Sequence, residues 1–279
     1  MQAHLVLIDA MNLIRRIYAA QERPYAMLDQ LSDKTLAQII HNTKVHTNSA
    51  LQKILSQHQP THALAVFDGQ GQCWRHKLFA DYKKGRKKMP EHLANSLADM
   101  QDSFLTHGVD SLESESDEAD DLIATLAVKM AIKGQNTTII STDKGFLPLL
   151  GHHIKVYDYF NKRDFDDDYV KAKFAVNTEQ LIDYWTLTGD TTNKIPGVPG
   201  IGPVTAVELL GKYHSLSGIL AATDLKISMR KNLQEHEMQI KLYQQLLTLK
   251  KDIPLGFNLK DIRLPVNNNA NDVVANQEA

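Results

Sequence analysis

Apolar and polar positions along the chain change their period in a regular way. Four short β-rich runs, Leu5–Asp9, Ala63–Asp68, Thr137–Asp143 and Ile154–Phe160, read as strands. The stretches Ala50–His58, Glu91–Thr106, Glu118–Lys133 and Lys144–Leu150 carry helical spacing instead. Strands alternating with helices predict an α/β fold, a mainly parallel sheet flanked by helices on both faces. From about Phe174 the pattern turns to helices and turns without a clear strand: Thr178–Leu187 with Thr178 as N-cap, Val204–Tyr213, Leu216–Ala222 and Arg230–Leu249. The polar, Asn-rich stretch 267–279 has the composition of a disordered tail. The predicted organisation is therefore an α/β domain over 1–173, a helical region over 174–255 and a partly disordered tail over 256–279.

Composition narrows the class. A chain of 279 residues, 43% hydrophobic and 23% charged, matches a soluble globular protein with a sizeable core. No run approaches the roughly 18 apolar residues of a membrane span, so no membrane partner is expected. The start lacks the basic region, long apolar stretch and cleavage site of a secretory signal. Cys73 is the single cysteine, which excludes a disulfide framework and a cysteine-rich zinc site. The expectation is a cytoplasmic monomer, with no protein partner that the sequence can name. A net charge of −2 argues against a general polyanion binder, but the charges are not evenly spread. Residues 83–88 hold five cations in six positions, and residues 113–121 hold six carboxylates in nine. Such segregation suits attraction of a polyanion at one place and a divalent metal at another.

The chemistry follows from where those charges fall. Asp9, Asp68 and Asp143 each close a predicted strand, and open α/β sheets carry their sites beyond the carboxyl ends of the strands. Stopping a strand and capping a helix explains one such aspartate more easily than three. Asp117 is a reasonable N-cap for the helix that follows, yet Glu118, Asp120 and Asp121 crowd the same turn and repel one another unless a cation sits among them. An oxygen-only set suits Mg²⁺, with Mn²⁺ as a substitute. In the basic segment, Tyr82 adds a stacking surface of the kind used on single strands, and Lys83 and Arg86 are placed to hold a phosphate. The run Ile195–Leu210 has the form of a helix–hairpin–helix. Gly200, Ile201, Gly202, Pro203, Val204 and Thr205 there offer main-chain N–H groups and a helix N-terminus to a DNA backbone.

Taken together, Asp9, Phe67-Asp68, Tyr82-Lys-Lys-Gly-Arg86, Glu118-Ala-Asp-Asp121, Thr142-Asp-Lys144, Thr188-Gly-Asp190 and the Pro-Gly hairpin resemble the 5′-nuclease superfamily, most closely its bacterial exonuclease IX (Xni) branch of flap endonucleases. The resemblance runs from Asp9 to about Leu210. It implies a sheet domain with a mobile arch near 80–100, a helix–three-turn–helix that holds duplex DNA, and no attached polymerase. It implies Lys83 and Arg86 acting on the scissile phosphate and Asp9, Asp68, Glu118, Asp120, Asp121 and Asp143 around Mg²⁺, with Asp120 as the direct ligand. It also implies a K⁺ held by backbone carbonyls at Leu187, Thr188, Pro196, Val198 and Ile201. Two carboxylates usual in the superfamily are replaced here by Gly145 and Asn193, with Lys194 as one residue that offsets part of the lost metal charge. A second ion is then expected to be held through water or by substrate.

The function expected is a metal-dependent 5′-flap endonuclease acting on branched or 5′-ended DNA near single-strand/duplex junctions. One alternative is a structure-specific DNA-binding protein with little or no turnover, suggested by Gly145 and Asn193. Another is a PIN-like ribonuclease, which the hairpin argues against.

Overall fold

The computed structural model describes residues 2–28, 30–69 and 71–265. The tail expected over 266–279 lies outside the described residues. Six strands form one sheet: β1 His4–Asp9, β2 His62–Phe67, β3 Asp110–Glu113, β4 Asn136–Ile140, β5 Ile154–Asp158 and β6 Arg163–Phe165. Their order is β3-β2-β1-β4-β5-β6; the first five run parallel and β6 returns antiparallel. The sequence pattern did not reveal β3 and β6. They are edge strands of four and three residues, too short for a period to register.

Central β1 is apolar at every position from Leu5 to Ile8, and alternation sends its side chains to two different cores. Leu5 and Leu7 join Ile123, Ala127, Phe146 and the C-terminal helices. Val6 and Ile8 join α1 (Ala10–Glu22), α2 (Asp33–His58) and Phe104 on the opposite face. Helix α1 follows β1 without a connecting loop, because Asp9 closes the strand and its carboxylate accepts the Asn12 N–H at 3.1 Å. Pattern alone gave only the final third of α2; its first two turns are polar except on one narrow side.

After β2 come α3 (Trp74–Leu78), a run of turns over 80–85, α4 (Glu91–Ala94) and α5 (Leu97–Leu105). The single helix expected over Glu91–Thr106 is broken at Asn95–Ser96, where the buried Ser96 hydroxyl donates to the Leu93 carbonyl at 2.8 Å. Helix α6 (Ala119–Ile132) crosses the sheet against β1, β2 and β4, with Glu118 rather than Asp117 at its N-cap. Asp117 instead pairs with Lys250 at 2.7 Å. The expected helix Lys144–Leu150 is a 3₁₀ helix over Lys144–Leu149, since Pro148 interrupts the α pattern.

The remaining helices are α7 Asp167–Phe174, α8 Leu181–Thr188, α9 Pro203–Tyr213, α10 Leu216–Ala221, α11 Ile227–Glu235 and α12 Glu237–Leu247. A 3₁₀ turn capped by Asn177, not Thr178, precedes α8, and His236 divides the expected Arg230–Leu249 helix in two. The loop between α8 and α9 is the predicted helix–hairpin–helix connection. Gly189 (φ 84°) and Gly197 (φ 77°) meet there. A Cβ on Gly197 would lie 2.4 Å from the Gly189 nitrogen, so only glycine permits the approach. Residues 256–265, expected to begin the tail, pack back on the sheet domain. Ile262 is buried, Arg263 bridges His62, and the Leu264 N–H donates to the Thr61 carbonyl. The apolar residues Leu255, Phe257, Leu259 and Ile262 supply the surface for that packing.

Candidate active site

Strand register brings the rim together. Asp9 ends β1 beside Val66 of β2, and Asp68 lies two residues further along that neighbour. On the other side Ile8 pairs with Ile140 of β4, and Asp143 follows three residues later. The α6 N-terminus closes the same edge: the Ala119 N–H donates to Asp68 Oδ1 at 3.0 Å, and Asp120 is the next residue. Asp143 also caps the 3₁₀ helix, accepting the Gly145 N–H at 2.7 Å, and Asp9 Oδ2 accepts the Ser141 hydroxyl at 2.7 Å. Capping thus accounts for part of each carboxylate but not for their gathering.

Their charges interact strongly. Burial pushes the Asp9 carboxyl up to about 7, helped by Asp143 and Asp68, against the hydrogen bonds from Ser141 and Asn12. Asp120 is raised well above the usual carboxylate range by burial and then by Asp143 and Asp9. Asp120 has no hydrogen-bond donor among the described residues, and it faces a cleft of about 550 Å³. Asp143 and Lys144 line that cleft together with Gly189, Asp190 and Pro203 of the hairpin. Asp68, Lys83 and Arg86 border an adjoining hollow of about 220 Å³.

Two of the expected ligands are placed otherwise. Asp121 is fully buried with both oxygens occupied: Arg75 donates to Oδ2 at 2.7 Å and to Oδ1 at 2.8 Å, Trp74 Nε1 to Oδ2 at 2.9 Å, and the Lys250 N–H to Oδ1 at 2.9 Å. Burial alone would raise its pKa, but these donors hold it below the usual range. Expected among the metal ligands, it forms here the anionic half of an internal ion pair with Arg75. Glu118 accepts Arg75 Nη1 at 2.6 Å and the Tyr82 hydroxyl at 2.9 Å on Oε2, and pairs with Lys83 through Oε1. Lys83 and Arg75 outweigh its burial, so its pKa too is lowered.

Tyr82 is likewise corrected. Its ring is 4% exposed and packs edge-on to His76, so it offers no face on which a nucleobase can stack. Hydrogen bonding to buried Glu118 draws the phenol inward. Lys83 sits in left-handed backbone (φ 54°) with its N–H on the Asn193 carbonyl, which ties the basic turn to the hairpin loop. Arg86 is exposed.

In the hairpin, Gly200, Gly202, Pro203 and Val204 are exposed, Thr205 is half-buried, and Ile201 anchors the turn in the core. Gly202 caps α9 without a side chain, leaving the first N–H groups of the helix open. Asn232 of α11 props the turn by donating to the Pro199 carbonyl at 2.8 Å. Leu187 and Val198 carbonyls accept the Val198 and Ile201 N–H groups, respectively, each keeping a second lone pair. Thr188 and Pro196 meet at the Gly189–Gly197 contact. Both oxygens of Asp190 stay within its loop, on the Thr192 N–H at 2.9 Å and Asn193 Nδ2 at 2.6 Å.

Residues that pattern reading missed include Arg75, which also donates to the Leu246 and Thr248 carbonyls at the C-terminal end of α12, and Arg15 and Arg16 of α1. Arg15 reaches the Lys87 carbonyl at 3.2 Å and feels the charge of Arg86; Arg16 reaches the Thr142 hydroxyl at 3.2 Å. Their helical position about two turns beyond Asp9 was the available signal.

Comparison with known proteins agrees with this architecture. Residues 4–175 match the 5′-3′ exonuclease N-terminal resolvase-like domain, and residues 176–270 match the 5′-3′ exonuclease C-terminal SAM fold. A flap endonuclease Xni of Colwellia psychrerythraea is 62% identical over 99% of this chain and 97% of its own length. The Aeromonas hydrophila Xni is 45% identical over 94% of this chain and 96% of its own. The bacteriophage T5 5′-exonuclease solved with zinc ions superposes with a TM-score of 0.70 at 20% identity, covering 88% of this chain and 89% of that one. The phage T5 flap endonuclease solved with DNA and metal ions gives 0.67 at 19% identity, covering 88% of each chain. Matched by two successive domains of one family and by near full-length relatives, this chain is a nuclease of the 5′-3′ exonuclease family, in its Xni flap-endonuclease branch.

Proposed function

We propose that the protein is a Mg²⁺-dependent flap endonuclease that hydrolyses a phosphodiester near a single-strand/duplex junction of 5′-flapped DNA. One observation carries this reading: the unpartnered Asp120 and the rim aspartate Asp143 face the same cleft as Asp190 and the start of the hairpin helix. A metal site and a duplex grip are thereby within one substrate's reach.

The donor set fits a hard divalent ion. Asp9, Asp120 and Asp143, with Asp68 beside them, offer only oxygen, and burial and then the neighbouring carboxylates raise the proton affinity of Asp9 and Asp120. Among the described residues no three acidic, histidine or cysteine side chains close on a single point. Mg²⁺ keeps several waters and takes one or two carboxylates, so an open rim suits it better than a cage. What a divalent ion supplies here is neutralisation of phosphate charge and a lowered pKa for the attacking water. Asp120 is the direct holder in this reading, and Asp9, Asp68 and Asp143 orient the surrounding shell. Glu118 acts differently, fixing Lys83 at the border of the cleft so that its ammonium and Arg86 can take the scissile phosphate. Val204 and Thr205 N–H groups at the α9 N-terminus hold the duplex backbone without reading its sequence. A K⁺ held among the carbonyls of Leu187, Thr188, Pro196, Val198 and Ile201 would stiffen that turn.

The test is a labelled 5′-flap substrate with Mg²⁺. Wild type is expected to cut near the junction, and Asp120→Ala to lose activity by about 10³-fold, the scale of removing one preorganised charge from a transition state. Equal cutting by both proteins defeats the assignment of the site. Tight binding by wild type without cutting would instead favour a DNA-binding protein that has lost turnover.

A further inference from the structure

Helix α1 carries three polar side chains along one face, Arg15, Tyr18 and Glu22, spaced i, i+3 and i+7. Two of them reach a segment 72 to 74 residues further along the chain. Arg15 Nη2 donates to the Lys87 carbonyl at 3.2 Å. The Tyr18 hydroxyl lies 2.7 Å from Glu22 Oε1 and 2.7 Å from His92 Nε2. An ionised carboxylate has no proton to offer, so the hydroxyl proton goes to Glu22 and the His92 ring N–H donates to the Tyr18 oxygen. Tyr18 is 3% exposed and its ring centre lies 5.5 Å from that of His92, so the acceptor is fixed in place.

The tethered segment has little else to hold it. Residues 83–88 carry five cations in six positions, and such a run repels itself and favours a splayed chain. Residues 86–90 have neither helix, strand nor turn. Among the described residues the N–H groups of Lys87, Lys88 and Met89 find no backbone partner. At its start the basic turn is pinned by the Lys83 N–H on the Asn193 carbonyl at 3.1 Å. Beyond Arg86 it is pinned by Arg15 at Lys87, by Met89 against the core beneath α1, and by Tyr18 at His92. Arg86 lies between those anchors and borders the hollow shared with Asp68 and Lys83.

We propose that Arg15 and the Tyr18–Glu22 pair latch Lys87 and His92 to α1, and so hold Arg86 at the site before DNA arrives. Arg15, Tyr18 and His92 are positioning residues in this role. The latch stands on the contacts above, while its purpose rests on the nuclease reading, in which Arg86 takes the scissile phosphate. Without the latch the basic turn would order only when substrate binds, and that ordering would be subtracted from affinity. The bound state would regain the same arrangement. Loss of the latch therefore raises KM and leaves kcat in place.

Trypsin reads the latch directly in the DNA-free protein, through the rate of cutting after Arg86, Lys87 and Lys88. Arg15→Met and Tyr18→Phe each remove a tether while keeping most of the side chain's bulk. Each should speed those cuts by about five- to thirtyfold, the factor set by one or two lost hydrogen bonds, while cuts elsewhere keep their wild-type rates. His92→Leu should behave alike. His92→Gln, whose amide N–H can replace the ring N–H, should restore protection. On 5′-flap DNA with Mg²⁺, His92→Leu should raise KM by a similar factor with kcat unchanged, and His92→Gln should recover it. Wild-type cutting after residues 86–88 in both Arg15→Met and Tyr18→Phe overturns the latch. So does equally faster cutting throughout the chain, the mark of general destabilisation. A kcat loss without a rise in KM overturns the ordering of Arg86 in advance of substrate. Failure of the wild type to cut flap DNA would sink the nuclease reading, and the proteolysis result would still decide the latch by itself.

Discussion

Asp120 and Asp121 are neighbours in one helical turn, and their surroundings are opposite. Asp120 faces the cleft with no hydrogen-bond donor and three other carboxylates in range, and its proton affinity rises. Asp121 points into the protein, meets Arg75, Trp74 and the Lys250 N–H, and its proton affinity falls. Successive helical residues diverge by about 100° around the axis, which is enough to send one to the solvent edge and the other to the core. The acidic cluster of residues 117–121 is therefore two devices. One is an uncompensated anionic rim that invites a cation. The other is a compensated ion network in which Arg75 ties the start of α6 to carbonyls at the C-terminal end of α12.

The largest effects should come from breaking the compensated half. Removing one partner of a buried pair strands the other's charge, at a cost of about 3–5 kcal/mol. Arg75→Met and Asp121→Ala should each lower stability by that amount in denaturant unfolding, whereas Asp120→Asn should leave it unchanged or raise it, since it relieves repulsion. Equal destabilisation by Asp120→Asn and Asp121→Ala would erase the distinction between the two aspartates.

A second way to sharpen the contrast is pH. Asp9, whose folded pKa is about 7 against 3.8 in the free side chain, binds its proton more tightly when folded. Its contribution to stability is complete below about pH 4 and is lost as pH rises through about 7, and Asp120 acts in the same direction. Glu118 and Asp121 act oppositely: their contribution is present above the ordinary carboxylate range and is lost as pH falls below it. The metal-free protein should thus melt at lower temperature at about pH 8 than at about pH 5.5, and added Mg²⁺ should raise the melting temperature more at the higher pH. An identical Mg²⁺ effect at both would mean the rim does not bind the ion through those carboxylates.

These contrasts explain what was legible in the sequence. The convergence of Asp9, Asp68 and Asp143 could be read because strand ends in a parallel sheet share an edge, and each lies at the end of an apolar run. The hairpin could be read because the Pro-Gly run around Gly200 and Gly202 marks a tight turn and Pro203 suits the first turn of the helix that follows. What stayed hidden was long-range pairing. Arg75 lies 46 residues from Asp121, inside a basic-looking stretch, and nothing local marks it as buried. Residues 256–265 were grouped with the tail because their apolar positions follow no helical or strand period.

Tyr82 gives the smallest and most diagnostic test, because composition and structure assign its ring opposite places. Beside a lysine run it reads as a stacking platform; in the fold it is enclosed and donates to Glu118. A hydrogen bond to a charged acceptor contributes about 1.5–3 kcal/mol, so Tyr82→Phe should lower stability within that range. Single-strand affinity should respond to neither Tyr82→Phe nor Tyr82→Leu by more than about twofold, since a stacked base would cost about 1–3 kcal/mol and a tenfold or larger loss. If Tyr82→Leu weakened flap binding tenfold while Tyr82→Phe did not, the ring would have to swing out on binding. The Glu118 network would then be a closed state that DNA opens, rather than a fixed frame for Lys83.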